Sequence, residues 1–114
     1  MDKDLANFIK NKHLEYKRFR PTPCPAFDNE LIHFNKAGFN HLVRKGRFLR
    51  SSKEIIRRLN LLPEVPNIIS SCKSFHTKRP NFWSLKAKRK GVRIVVVIRQ
   101  LKGGVKHFFS VMDD

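Results

Sequence analysis

"NFWSLKAKRKGVRIVVVIRQLKGGVKHFFSVM", residues 81–112, is the stretch that decides the fold. Its apolar residues recur with period two, and "RKG" and "KGG" break it where turns are favoured. Together with "KSFHTKR" just upstream, closed by "RP", it yields consecutive strand candidates. In "RIVVVIRQ", Arg93, Val95, Val97 and Arg99 share a face. In the last candidate, strict alternation puts Val105, His107, Phe109 and Val111 on one face. Lys106, Phe108, Ser110 and Met112 fall on the other, so that His107 and Ser110 are separated unless a bulge intervenes. Both faces are largely apolar, which predicts a strand covered on both sides.

Upstream of this block the period is helical. "ELIHFN" (30–35) reads as a short strand and Asn35 as the N-cap of a helix through "KAGFNHLVRK", ended by Gly46. "SSKEIIRRLNLL" opens on a Ser52 cap and carries Ile55, Ile56, Leu59 and Leu62 at helical spacing. Pro63 is expected to stop it, and Pro66 to allow no more than one further helical turn in "VPNIISSC". Residues 2–19 read as another helix, with Leu5, Phe8 and Ile9 on one face. The prolines of "RPTPCPAF" (Pro21, Pro23, Pro25) then impose an extended connector. The expected organisation is an N-terminal helix and Pro-rich arm over residues 1–25, followed by one domain over 26–114. The expected fold class is α+β, with N-terminal helices packed on a four-stranded antiparallel sheet.

Charge narrows the partners. The chain has 114 residues, with 25 Lys and Arg against 9 Asp and Glu, for a formal net charge of +16. Such an excess costs self-repulsion and points to a polyanion, nucleic acid first. The bases flank the elements themselves: Lys36 to Arg58 holds one acid, Glu54, and Lys73 to Lys106 holds none. A folded basic concavity is therefore expected, rather than a polybasic tail. The longest apolar run, "IVVVI" at 94–98, is far short of a membrane span. "MDKDLANFIKNKH" has no apolar stretch of the kind a secretory signal needs. Cys24 and Cys72 form no CxxC pattern and are expected to be reduced. These readings point to the cytoplasm, with no membrane partner.

The chemistry is that of histidine and arginine. Acids outside the first helix are scattered, without the grouping a two-metal nuclease needs, and no Cys or His pair has zinc-ligand spacing. "LKGGVK" is too short for a P-loop. No cofactor or metal is expected. RNA is cleavable without either: a base takes the proton of its 2′-hydroxyl, cations stabilise the phosphorane and an acid protonates the leaving 5′-oxygen. Histidine suits both proton transfers and arginine suits the phosphate. On the 36–45 helix His41 points away from Phe39, Leu42 and Val43, beside Arg44. His107 approaches Arg99 if their strands share a face. Arg44, Lys45, Arg50, Arg93, Lys88 and Lys90 are the candidates for contact with RNA phosphates. Phe82 or Trp83 is a candidate for stacking on bases, the other of the two being core.

"FNKAGFNHLVRKGR", "IIRRLNLLPEVPNII", "NFWSL", "RIVVVIRQ" and "HFFSVM" together resemble small nucleases of the barnase–EndoU–colicin–RelE superfamily, in particular those of phages and mobile elements. The resemblance covers about residues 30–112. It implies a metal-independent endoribonuclease toxin or effector acting on RNA, ribosome-bound RNA or tRNA, with helices on a four-stranded antiparallel sheet and a dedicated inhibitor, which at +16 should be acidic. Carried over by residue, it selects His41, Arg47, Arg99, His107 and Ser110 as catalytic. No glutamate matches the base position of barnase, so His41 would take that role. The alternative function is a non-catalytic RNA- or DNA-binding protein whose bases only neutralise phosphates.

Overall fold

Tyr16 shows how the N-terminus joins the rest of the molecule in the computed structural model, which describes residues 2–114. It ends helix α1 (Lys3–Tyr16), which the Asp2 carboxylate caps by accepting from the Asp4 amide. Its buried ring meets Phe39 and Phe108, and its hydroxyl donates to the Asn35 carbonyl at 2.6 Å. Leu5 is buried in the same core, with Phe8, Ile9 and Phe19 packed against it. Residues 2–25 are thus no arm outside the core. Burial of this aromatic and aliphatic stripe, at roughly 1.5–3 kcal/mol per large side chain, anchors the helix. Nor are the prolines only a connector. Thr22–Cys24 forms strand β1 on the sheet's outer edge, where the N–H that Pro23 lacks is not needed.

Strand β2 (Glu30–His33) leads into α2 (Lys36–Val43), with the Asn35 side chain accepting from the Gly38 amide at 3.0 Å. This helix ends two residues earlier than expected. The chain turns extended at Arg44 and makes a small hairpin of β3 (Arg44–Lys45) and β4 (Phe48–Leu49), with Gly46 at φ +63 in its turn. Ser51, not Ser52, caps α3 (Ser52–Leu61), its hydroxyl accepting from the Glu54 amide. Ile55 and Leu59 on α3, and Leu62 just after it, are buried as their spacing predicts, whereas Ile56 is exposed. A 3-10 turn, Leu62–Glu64, then runs straight into α4 (Val65–Ser71). The prolines allow this longer restart because each occupies a first-turn position, where no N–H is required. Among the described residues, no helix is long and apolar enough to cross a membrane.

The period-two block forms β5 (His76–Arg79), β6 (Phe82–Arg89), β7 (Val92–Gln100) and β8 (Lys106–Asp113), paired antiparallel in sequence. Lys90 at φ 52 and Gly91 at φ 79 make the left-handed two-residue turn that matches strand twist between β6 and β7. The sheet is not limited to these strands. Its order is β1-β2-β8-β7-β6-β5, with β2 parallel to β8, so it is six-stranded and mixed. Leu85, Ile94, Val96, Ile98, Phe108 and Val111 on one face share a core with the helices, giving an α+β fold. Gly38 sets how closely α2 approaches β8. A Cβ there would fall on the Phe108 carbonyl oxygen and lie 2.9 Å from both Phe108 Cδ2 and the Tyr16 hydroxyl.

Candidate active site on the open face of the sheet

A β-bulge in β8 decides what the other face presents. Val97 pairs with Ser110 but Ile98 with Phe108, so Phe109 is the extra residue. Alternation therefore holds up to Phe108 and inverts after it. Val111 joins Phe108 in the core, whereas Ser110 and Met112 join the face of His107. The expected separation of His107 from Ser110 does not occur.

Pairing registers then define rows across the open face. One runs His33, His107, Arg99, Phe82, Arg79 over β2, β8, β7, β6 and β5. The next runs Ser110, Val97, Ser84, His76, and its small, buried members Ser110, Val97 and Ser84 make a floor. Where the two rows meet lies a cleft of about 360 Å³, floored by Val97, Ser110 and Met112. Phe82, Phe109, Lys78, Arg79 and His41 wall it. The Arg79 guanidinium sits 4.1 Å from the centre of the Phe82 ring, and that of Arg99 lies 5.7 Å from the Phe82 and Phe109 rings. Stacking of this kind keeps each guanidinium planar against a ring while leaving its N–H groups to an anion.

His41 enters the cleft because α2 and α3 pack against β8, which β2 pairs only at Ile32↔Lys106 and His33↔His107. Its ring lies 4.2 Å from that of Phe109, and its Nδ1 is buried without a hydrogen-bond partner. Burial, then the charges of Arg50, Arg58 and Lys45, push its pKa down to about 4. The imidazole is accordingly neutral at pH 7, the form in which a general base acts. Ser110 Oγ accepts a 2.8 Å bond from Arg58 Nη1, while Arg58 Nε donates to Glu54 Oε1 at 2.8 Å. The hydroxyl proton of Ser110 is thereby left to donate. His107 stands one row away, its ring 5.7 Å from that of His33. Burial, then His33 and Arg99, hold its pKa below the ordinary histidine value.

His41 and Ser110 thus line one cleft, with Arg99 and His107 in the row beside it. Arg47 does not line it: on the hairpin, its guanidinium lies over the Phe48 ring and its carbonyl accepts from Arg44. Arg44 therefore turns to the hairpin rather than pairing with His41. Arg50 is a strut, with Nε donating to the His41 carbonyl at 3.0 Å and Nη1 paired with Glu54, so it is not the free phosphate contact expected. Lys45 remains exposed beside His41. Lys88 and Arg93 pair on the open face at the far end of the sheet, with Lys90 in the turn beyond. Trp83 takes the core side and Phe82 the cleft.

Three cations of the site were not among the residues singled out from the sequence: Arg58, Lys78 and Arg79. The signal for Arg58 was present, since it lies three residues after Ile55 and one before Leu59, on the buried stripe of α3. Among the described residues, no three His, Cys, Asp or Glu side chains converge as a metal site. No family model matches this chain, and no curated protein or solved structure matches it either.

Proposed function

We propose that the protein is a metal-independent endoribonuclease of the barnase–EndoU–colicin–RelE kind, a cytoplasmic toxin or effector that cuts RNA through its own 2′-hydroxyl. The observation that carries this reading is the bulge at Phe109, which gives His107, Arg99 and Ser110 one face beside His41. The antiparallel block β5–β8, following the helices, fits the same plan.

In this reading neutral His41 takes the 2′-hydroxyl proton as the 2′-oxygen attacks phosphorus. Lys78, Arg79 and Arg99 face the charge on the non-bridging oxygens, and the Ser110 hydroxyl donates to one of them. His107, protonated beside the bound phosphate, gives its proton to the departing 5′-oxygen. The products are a 2′,3′-cyclic phosphate and a free 5′-hydroxyl. A charge of +16 makes an acidic protein the fitting inhibitor.

The test is incubation of the purified protein with total RNA and EDTA, followed by sequencing of the new ends. Cyclic phosphates are expected, with His41→Ala lowering turnover at least ~10²-fold. Products bearing 5′-phosphates, or loss of cleavage on chelation, would overturn the mechanism. Tight RNA binding without new ends would leave a passive binder.

A further inference from the structure

The hairpin between α2 and α3 carries an exposed aromatic ring that the cleavage chemistry does not use. Phe48 is 67% exposed, and Leu49 beside it 46%. An apolar tip of this kind on a strongly basic surface marks a contact. Its position is fixed relative to the cleft. Arg50, which closes the hairpin, donates its amide to the Val43 carbonyl at 2.9 Å and its Nε to the His41 carbonyl at 3.0 Å. The excursion is thus tied at its foot to the turn of α2 that bears His41.

Cross-strand partners share a face, and Phe48 pairs with Lys45 while Leu49 pairs with Arg44. Lys45 is the hairpin cation near enough to His41 to disfavour its protonation. Phe48 therefore stands beside a cation whose charge is felt at His41. A shallow hollow of about 410 Å³ lies against the hairpin, bounded by Lys45, Phe48, Leu49, Arg50, Ser51 and Glu54. The guanidinium of Arg47 covers the Phe48 ring at 5.3 Å, a contact that a base can replace or extend.

We propose that this hollow is a second nucleotide subsite, in which Phe48 stacks on a base of single-stranded RNA while Lys45 and Arg47 hold its phosphate. A ring flanked by cations suits a nucleotide, which offers a π-face and an anion together. The inference rests on the RNA-cleaving reading above and extends it from the scissile nucleotide to a neighbour.

The experiment measures binding of the full chain to a fluorescent 2′-O-methyl octanucleotide, whose blocked 2′-oxygens prevent cleavage. Phe48→Ala is expected to weaken binding on the order of tenfold, Phe48→Trp to restore it and Phe48→Leu to fail to restore it. The exposed Leu14→Ala, on α1, serves as the control and should leave affinity unchanged. Equal affinity for Phe48→Leu and the parent would overturn stacking in favour of a merely apolar contact. Unchanged RNA affinity in Phe48→Ala, with lost partition onto phosphatidylglycerol vesicles, would overturn it in favour of a membrane. Loss of affinity in Phe48→Ala alongside a parent that never cuts RNA would keep the subsite and sink the nuclease. Cleavage by the parent with unaltered affinity in Phe48→Ala would do the reverse.

Discussion

Protonation of His41 should loosen the whole fold. Its pKa stands at about 4 in the folded protein against an ordinary 6.5. Between those values the unfolded chain binds a proton that the folded chain refuses, so stability is complete above about pH 6.5 and falls as pH drops toward 4. At about 1.4 kcal/mol per pH unit the gap amounts to roughly 3 kcal/mol. Solvent at the exposed edge of the ring reduces this to roughly 2 kcal/mol. That is a large share of the 5–15 kcal/mol typical of a small domain. Burial, with Phe109 against the ring, is the first cause of the shift, and the charges of Arg50, Arg58 and Lys45 add to it. The assay is urea denaturation from pH 8 to pH 4 on the parent and on His41→Gln, which does not titrate. His107, Glu54 and Asp113 titrate in both proteins and cancel in the comparison. The parent should lose about 2 kcal/mol more than the variant over this range. Parallel curves would mean that the imidazole is well solvated and that the burial argument is wrong.

The same shifts fix a rate profile. Activity should rise through about pH 4 as His41 loses its proton and fall again below 6.5, where His107 loses its own. The optimum is therefore mildly acidic, and His107→Ala should abolish the alkaline limb of kcat/KM; a plateau up to pH 8 would remove His107 from the acid role. Gly38→Ala should destabilise the protein by about 2 kcal/mol, because the added methyl meets a backbone oxygen that cannot rotate aside. The roughly 1 kcal/mol that alanine gains over glycine within a helix does not offset this. A thermal melt at or above that of the parent would contradict the close approach of α2 to β8.

The strands of the C-terminal block were legible because "RIVVVIRQ" and its neighbours carry period two and clear turn residues. The α3 stripe of Ile55 and Leu59 was legible for the same reason at period 3.6. Pairing of β2 with β8 was not, since it joins residues 74 apart and leaves no local trace. The hairpin at Arg44–Leu49 is too short to show any period. In the site, His41, His107 and Arg99 were singled out by their chemistry, and Ser110 only by the resemblance. Arg47 and Arg50 show the limit, because a count of charges does not say which way a guanidinium turns. Arg50 turns inward to a carbonyl and Arg47 onto a ring. The bulge was invisible for a simpler reason: Phe108 and Phe109 are identical, so the sequence does not show which one is the extra residue.

That surplus phenylalanine is the one residue the final strand could lose without changing the face of any other. Deleting it would join Phe108 directly to Ser110 and restore plain alternation, with Ser110 still opposite Val97 and Val111 still opposite Val96. What would go is the Phe109 ring itself, which walls the cleft and lies 4.2 Å from the ring of His41. A deletion elsewhere between His107 and Met112 would have the opposite effect, unless the strand gave up its bulge to absorb it. Here a single codon's worth of backbone adds a wall to the cleft and spares the addresses of its neighbours.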